Sequence, residues 1–456
     1  MAVGCRAVHR GIRGGTRVSS DERRNVVLVT YDSLRADHCG CYGYGRNTTP
    51  TLDEMADSGL LFENAIASGV PTIASMTSVM TGRHSLASPE IGFNEQQREQ
   101  VTSRPTIAEV LSESGYSTGA LSPNPPASSY FGFDSGFDWF EDFLAEDRGV
   151  LERAWRRIFE SSIEGGGLST YLRLFRNVVT QSEVLRPWED FYDEILAFRE
   201  RAEEPYFLWV LLLEPHHPWM PPSDTQQWSS RSDKYAAFRQ YWEMFDSGWT
   251  PDFSAAEHQR LIDLYDDSIR YGDQFLARLR DDLADDDPVF VVHADHGEEF
   301  GEHGRYGHQP YLYEDLTHVP LVVWNADERG RVEQPVELRQ LAPTIAELGG
   351  AEHPFDVDGL LTDSEEARPW VVSKVFAEGN RRAAVRTRSG KYIEESDRRE
   401  LYDLSADPDE QRDRSDENPQ SSAAFGDALR SHVHDEQERR AVEAAREAVT
   451  EGEVEL

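Results

Sequence analysis

Acidic and imidazole side chains stand directly after two apolar runs of the sequence. Asp32 follows the run Val26–Thr30, and the pair Asp295-His296 follows the run Val289–His293. Asp32 taken alone is as easily explained as the cap of a turn. Ligands gather at the carboxyl ends of the strands in a parallel sheet, so we expect the three side chains to meet there. Carboxylates with an imidazole suit a divalent cation, and the pattern therefore predicts a metal site.

Hydroxyl and histidine side chains in two further segments can complete such a site. The stretch 68–78 is rich in Ser and Thr. A hydroxyl at a helix start commonly does no more than cap the helix, but beside a metal ion it can lose its proton and become a nucleophile. The helix N-terminus would also offer N–H groups to an anionic ester. His216 follows the run Phe207–Leu213, where it either packs the loop or protonates a leaving oxygen.

The elements that must position these residues are read from the apolar pattern. Four short runs are typical of buried parallel strands, namely Val26–Thr30, Phe207–Leu213, Val289–His293 and Val319–Trp324. Helical patterns separate them, for example at Pro50–Gly59, Pro105–Gly115 and Gln259–Leu283. The alternation predicts an α/β fold with a doubly wound, mostly parallel sheet sandwiched by helices. Residues 222–258, rich in Trp, Tyr and Ser, are placed to cover the site.

We expect four regions along the chain. They are an irregular leader over 1–24, a catalytic domain over 25–350, a small C-terminal α+β subdomain over 351–410 and an acidic tail, helical or disordered, over 411–456. Three Cys residues supply no disulfide framework, which fits a reducing compartment. The leader has no apolar stretch of signal-peptide length, and no 18-residue apolar segment occurs. The sequence therefore predicts a cytoplasmic protein without a membrane span.

The charge balance is strongly acidic. There are 84 Asp and Glu residues against 46 Lys and Arg, a formal net charge of -38, and only three of the cations are Lys. Repulsion within such a surface opposes folding at low salt, whereas salt at molar strength shortens the Debye length to about 3 Å and removes most of the penalty. The composition favours a halophilic host over an acidic mesophilic one, and it excludes nucleic acid as a partner because the phosphate backbone is repelled.

The order of these motifs resembles the sulfatase family of the alkaline phosphatase superfamily over nearly the whole chain. The matching segments are Asn25–His38, Gly40–Gly43, Thr49–Asp53, Thr81–His84, the loop His216-x-Pro218, Asp295–Glu298, Gly301–Gly304, Tyr313-Glu314, Val319–Leu321, Leu341–Thr344 and Glu400–Leu404. The resemblance implies a hydrolase or transferase of phosphate or sulfate esters. Its substrate would be a small molecule, a glycan or a lipid headgroup that carries such an ester.

The resemblance also implies roles for single residues. One divalent metal ion, Mn²⁺, Mg²⁺, Ca²⁺ or Zn²⁺, would be bound by Asp32, Thr72, Asp295 and His296. Thr72 stands at the position of the nucleophile. His216 would contact the transferred group or the leaving oxygen, and His308 stands where many relatives place a Lys that contacts the ester. His303 is a weaker candidate for a supporting position. The Asp-x-x-x-His spacing of two-metal relatives is missing before the His216 loop, so a single metal is expected.

Three departures from the family pattern bear on the chemistry. Thr72 begins Thr-Ile-Ala-Ser-Met, whereas sulfatases carry Cys or Ser followed by x-Pro-x-Arg, which is oxidised to formylglycine. Ser33 replaces the usual second Asp of the first metal motif, and Leu121–Asn124 begins the stretch that replaces a Gly-Lys-Trp-His segment. The formylglycine modification is therefore not possible in this chain.

The missing modification favours phosphoryl over sulfuryl transfer. A formylglycine hydrate has a second hydroxyl that expels sulfate by re-forming the aldehyde, and Thr has none. A phosphorylated Thr can be opened by water or by an acceptor alcohol, as in the phosphodiesterases and phosphate transferases that the chain resembles at this position. Two alternatives remain open from the sequence: a true sulfuric ester hydrolase of arylsulfatase type, and a non-catalytic relative that binds an anionic glycan or headgroup.

Overall fold

The computed structural model describes residues 23–85, 95–142, 187–362, 369–377, 380–396 and 398–450. Nearly all of the predicted leader 1–24 lies outside the described residues. The strands are β1 (Val26–Tyr31), β2 (Leu60–Phe62), β3 (Ala65–Ile66), β4 (Ser117–Leu121), β5 (Trp139–Glu141), β6 (Tyr206–Leu212), β7 (Val289–Ala294), β8 (Glu299–Phe300), β9 (Tyr306–Gly307), β10 (His318–Val319), β11 (Leu321–Trp324), β12 (Gly330–Val332), β13 (Val336–Glu337), β14 (Trp370–Ala377), β15 (Asn380–Thr387), β16 (Gly390–Glu395) and β17 (Arg398–Asp403).

The helices pack around these strands. They are α1 (Pro50–Ser58), α2 (Thr72–Thr81), α3 (Glu95–Thr102), α4 (Ile107–Glu113), α5 (Tyr192–Arg201), α6 (Arg231–Asp246), α7 (Ala255–Asp282), α8 (Glu314–Thr317), α9 (Leu341–Leu348) and α10 (Pro419–Thr450). The 28-residue α7 begins in a capping box, in which the side chains of Ser254 and Glu257 each accept the other's backbone N–H. Among the described residues, no helix is long and apolar enough to cross a membrane.

An eight-stranded sheet forms the centre of the molecule. Its strand order is β12-β2-β11-β7-β1-β6-β4-β5, and β7, β1, β6, β4 and β5 run parallel to one another. Every residue of β1, β6 and β7 is buried, as expected for strands covered by helices on both faces. The predicted mostly parallel α/β fold is confirmed.

The prediction of one parallel strand over Val319–Trp324 is wrong, because this run forms two strands. Pro320 divides it, because proline has no N–H to donate to a strand partner. The first part, β10, pairs with β3 in a separate small sheet. The second part, β11, runs antiparallel to β7 in the central sheet. An apolar run shows that a strand is buried but not in which direction it runs.

The helix α2 is buried along its whole length. It begins at Thr72 directly after Pro71, and it ends where Gly82 adopts φ 69°, a left-handed conformation that favours glycine. A helix enclosed on every side has one fixed position relative to the sheet. Its first residue is therefore held firmly at the carboxyl edge of the central strands.

A second sheet of four antiparallel strands, β14-β15-β16-β17, lies towards the C-terminus, and α10 packs on it through Phe425 and Leu429. Lys391 on β16 joins this sheet to α8. The Lys391 side chain is 1% exposed and lies 3.0 Å from Glu314 Oε1 and 3.3 Å from Glu410 Oε1. Burial alone would raise the pKa of Glu314, but Lys391 and Arg386 hold that pKa well below its usual range.

Replacing Lys391 with methionine is expected to lower the free energy of unfolding by about 3–5 kcal/mol, because it leaves the buried Glu410 without the cation beside it and Glu314 with Arg386 alone. Burial raises the pKa of Glu410 to about 7. A carboxyl whose pKa is raised in the folded state stabilises the fold at low pH, and this contribution is lost as the pH rises through the folded pKa. The difference in the free energy of unfolding between the wild type and the variant therefore grows towards pH 8. Urea denaturation at two pH values measures it. The half-buried Lys234, replaced in the same way, serves as the control and should change stability by less than about 1 kcal/mol.

Candidate metal centre and active site

Two carboxylates leave the central sheet at neighbouring strand ends. β1 and β7 are parallel, with Tyr31 opposite Ala294, and the N–H of Asp295 donates to the carbonyl of Tyr31 at 3.1 Å. Asp32 and Asp295, the next residue of each strand, therefore emerge side by side. The prediction that ligands gather at this edge of the sheet describes their placement well.

Asp32, Asp295 and His296 form a compact buried cluster. The three side chains are 0% exposed, and their ligand atoms lie within 4.8 Å of one another. His296 Nε2 is 3.8 Å from Asp32 Oδ1 and 3.5 Å from Asp295 Oδ2. Within the described part of the chain, Asp295 Oδ2 has no hydrogen-bond partner. A buried carboxylate oxygen without a partner is costly unless a cation lies beside it, so this cluster fits a divalent metal ion.

The electrostatics of the cluster also call for positive charge. Burial raises the pKa of the Asp295 carboxyl to about 7, and the neighbouring carboxylate of Asp32 adds to the rise. Burial lowers the pKa of His296, but the two carboxylates outweigh burial and leave that pKa above its usual value. The shift of His296 shows that the two carboxylates favour a positive charge beside them.

Local hydrogen bonds fix the orientation of both carboxylates. The backbone N–H groups of Ser33 and His296 donate to Asp295 Oδ1 at 3.1 and 2.8 Å. Ser33 adopts φ 65°, a left-handed conformation that is uncommon for a residue other than glycine. Its hydroxyl donates to Asp32 Oδ1 at 3.0 Å. Ser33 therefore positions the two acidic side chains.

The start of α2 brings Thr72 to the same cluster. Thr72 Oγ1 lies 3.2 Å from His296 Nε2 and 3.4 Å from Asn124 Nδ2. Asn124, which is buried, also donates to Asp32 Oδ2. The four residues chosen as metal ligands from the sequence thus lie together in the structure. Asn124 comes from the segment that departs from the family pattern, and sequence comparison alone gave it no role.

A group of three histidines adjoins the first cluster. His216, His217 and His308 offer ring nitrogens that lie within 4.8 Å of one another, and the ring centroids of His296 and His308 are 4.7 Å apart. Burial lowers the pKa of His308 to about 3 and lowers the pKa of His217, which His216 lowers further.

Glu298 lies behind this group of histidines. It is 0% exposed, and its carboxylate accepts from Nδ1 of His217 and from Nδ1 of His308, each at 3.3 Å. Although burial raises the pKa of Glu298, His308 and His217 lower it well below its usual range. His217 and Glu298 were missed by the sequence analysis. Two signals in the sequence point to them. His217 directly follows His216, and Glu298 ends the motif Asp295-His-Gly-Glu298.

Two further predictions concern His303 and the segment 222–258. His303 stacks on Tyr313 with ring centroids 3.7 Å apart and belongs to neither of the two clusters that the described residues form, so its predicted supporting position at the metal stays a prediction. The segment 222–258 does reach the site. Its Tyr241 and Trp249 rings lie 5.4 and 5.1 Å from the His217 ring, centroid to centroid.

A comparison of the sequence with models of known families shows the family of this chain. The model of the family described as Sulfatase matches residues 24–351 of this chain. The chain belongs to the sulfatase family. An arylsulfatase of Clostridium perfringens is 25% identical over 437 residues, which cover 85% of this chain and 89% of the relative. The multifunctional alkaline phosphatase superfamily protein PehA of Trinickia caryophylli is 25% identical over 432 residues, which cover 76% and 78%.

Solved structures of sulfatase-family type share the architecture. The structure of BT4656 with its substrate D-glucosamine-2-N,6-O-disulfate has a TM-score of 0.66 and 17% identity, and the match covers 90% of this chain and 97% of the other. The phosphonate monoester hydrolase of Agrobacterium radiobacter has a TM-score of 0.61 and 18% identity, with 90% and 95% covered. The predictions of an ester hydrolase and of a sulfatase-like fold are confirmed. This sulfatase-family chain is therefore an ester hydrolase.

Proposed function

We propose that this sulfatase-family hydrolase cleaves phosphate esters through Thr72, with one divalent cation held by Asp32, Asp295, His296 and Thr72. The observation that carries the proposal is the position of the Thr72 hydroxyl, 3.2 Å from His296 Nε2, beside a carboxylate oxygen that has no partner among the described residues. When bound, the cation would lower the pKa of the Thr72 hydroxyl and offset charge on the ester.

The residues of the chain supply the remaining chemistry. The oxygen of Thr72 attacks phosphorus, the bond to the leaving oxygen breaks, and a phosphorylated Thr72 results, which water then hydrolyses. Asn124 donates towards Thr72 and Asp32 and so fixes the direction of the attacking oxygen. His216 and His308 lie beside one another and close to His296, where they would contact the transferred group or the leaving oxygen. The N-terminus of α2 adds backbone N–H groups on the same side.

Phosphate is favoured over sulfate by the side chain at position 72. A Thr has a single hydroxyl and cannot expel sulfate in the way that a formylglycine hydrate does. Some structural neighbours are described as phosphonate monoester hydrolases and another as a sulfatase, so the fold accommodates hydrolysis at phosphorus as well as at sulfur.

A panel of three aryl esters tests the proposed function. The metal-free protein is assayed with a bis-aryl phosphodiester, an aryl phosphate and an aryl sulfate while Mn²⁺, Mg²⁺, Ca²⁺ or Zn²⁺ is added in turn, in buffer with molar KCl. We expect metal-dependent release of the aryl alcohol from one of the two phosphate esters at a higher kcat/KM than from the sulfate. Faster cleavage of the sulfate would show a true sulfatase, and no cleavage of any ester would favour a binding protein.

Replacing Asn124 with alanine tests the positioning that the structure shows. Because the amide contacts both Asp32 and Thr72, its loss should weaken the metal affinity and kcat each by about 10- to 100-fold. The informative readout is the metal dissociation constant, measured by calorimetry. If the variant melts like the wild type, a change in this constant reports on the site and not on folding. Asn47→Ala, at an exposed position, is the matched control. An unchanged metal affinity in Asn124→Ala would contradict the role.

A further inference from the structure

The three-histidine group, His216, His217 and His308, has the arrangement of a ligand set. An oxygen that can only accept a hydrogen bond faces Nδ1 of each ring. For His217 and His308 this is the carboxylate of Glu298, at 3.3 Å, and for His216 it is the carbonyl of His217, at 2.5 Å. Each Nδ1 must therefore carry a proton. In a neutral imidazole the other nitrogen, Nε2, then has a free lone pair.

His296 shows the same arrangement in the neighbouring cluster. Its Nδ1 donates to the carbonyl of Gly297 at 2.9 Å, while its Nε2 faces the two carboxylates. A carboxylate or carbonyl that orients Nδ1 and leaves Nε2 free is the usual support of a metal-binding histidine. The same chemistry thus surrounds all four imidazoles, but only His296 is used by the proposed single-metal site.

Three buried carboxyl groups lie beside the two clusters. Asp32, Asp295 and Glu298 are each 0% exposed. No Lys or Arg of the described ranges forms an ion pair with any of them, and Arg35 reaches only the main-chain oxygen of Glu298. Positive charge beside these carboxyl groups must therefore come from the histidines or from bound metal ions.

We propose that His216, His217 and His308 bind a second metal ion, a transition-metal dication of the Zn²⁺ class, beside the carboxylate-rich first site. Imidazole nitrogens suit Zn²⁺, whereas two carboxylates with a hydroxyl suit a harder cation. Three imidazoles leave a fourth tetrahedral position open for water or an ester oxygen. Tyr241 and Trp249 against His217 form an apolar wall on one side, which limits access of bulk water. The proposal deepens the proposed function and rests on it, because the second cation would lie beside the first cluster and contact the same ester.

Zn²⁺ binding to a variant with a disabled first site tests the proposal. Asp295→Asn removes the first site, and the metal-free variant is titrated with ZnCl₂ by calorimetry in molar KCl, which suppresses weak binding to surface carboxylates. We expect about one equivalent of Zn²⁺ to remain bound. Adding His217→Gln should weaken that binding by at least about 100-fold, since loss of an outer partner alone costs about 10- to 100-fold. Adding His353→Gln, which removes an imidazole beside Phe355, should leave it unchanged.

The outcomes separate this proposal from the proposed function. Absence of bound Zn²⁺ in Asp295→Asn, or equal binding with His217→Gln and His353→Gln, overturns the second site. Should His217→Gln fail to fold, X-ray absorption of Zn²⁺ in Asp295→Asn decides: three nitrogens at about 2.0 Å support the site, and an oxygen-only shell overturns it. Neither result depends on whether Thr72 is the nucleophile, which is tested by ester cleavage in Thr72 variants.

Discussion

Thr72→Ala is expected to lower kcat for phosphate ester cleavage by at least about 10³-fold, because it removes the oxygen that forms the covalent intermediate. The side chain is small and stands at the first residue of α2, where it caps nothing, so the fold should be retained, while the cation loses one neutral ligand and keeps both carboxylates. Steady-state kinetics with the best ester of the panel, together with a thermal melt, make the measurement.

Two further substitutions make the Thr72 result specific. Thr72→Ser keeps a hydroxyl and should retain much of the activity. Thr77→Ala is the matched control, since Thr77 is also buried on α2 and its hydroxyl donates only to the carbonyl of Ile73 at 2.6 Å. It should remain active. Full activity in a correctly folded Thr72→Ala variant would refute the nucleophile.

Asp295→Asn is expected to weaken binding of the first cation by at least about 100-fold and to lower activity by a similar or larger factor at limiting metal. The amide is the same size as the carboxylate but has no charge, and it replaces the oxygen that lacks a hydrogen-bond partner among the described residues. A single buried ligand charge contributes strongly because few other groups compensate for it.

The Asp295 substitution has a stability readout as well. In the metal-free protein, removing one of two adjacent buried carboxylates relieves repulsion, so the melting temperature of Asp295→Asn without metal should equal or exceed that of the wild type. Added Mn²⁺ should stabilise the wild type and not the variant. Asp327→Asn, which removes the same charge from an exposed position, is the control and should respond to Mn²⁺ as the wild type does. Equal stabilisation of Asp295→Asn would place the cation elsewhere.

Strand ends explain why the first cluster could be predicted from the sequence. Asp32 and Asp295 directly follow apolar runs, and the register of neighbouring parallel strands then brings them together without any information on loops. Thr72 needed the family resemblance, because the sequence around it offers several hydroxyls and only the resemblance selects one.

Loops explain what the sequence did not predict. His217 and His308 are 91 residues apart along the chain, and their approach depends on Glu298, whose carboxylate accepts from both rings. Asn124 reaches the metal cluster from the turn after β4, a contact that no spacing in the sequence signals. The antiparallel direction of β11 was also missed. The apolar residues of a strand determine its burial, whereas its direction depends on the loop that leads into it.

The halophilic host and the cytoplasmic location stay predictions from composition. The acidic surface has a consequence for the site, however. With a net charge of -38, the field of the molecule repels an anionic ester, and short-range attraction must come from bound cations. Catalysis should therefore depend on salt, which screens the surface, and on the metal ions together.

A crystal soaked with Mn²⁺ and vanadate tests the central claim most directly. Vanadate mimics phosphorus under nucleophilic attack, and Mn²⁺ is located by its anomalous scattering. We predict Mn²⁺ bound by Asp32, Asp295 and His296, with vanadium bonded to Oγ1 of Thr72. An ion bound away from these side chains, or vanadate attacked by a water molecule with Thr72 turned away, would contradict the account.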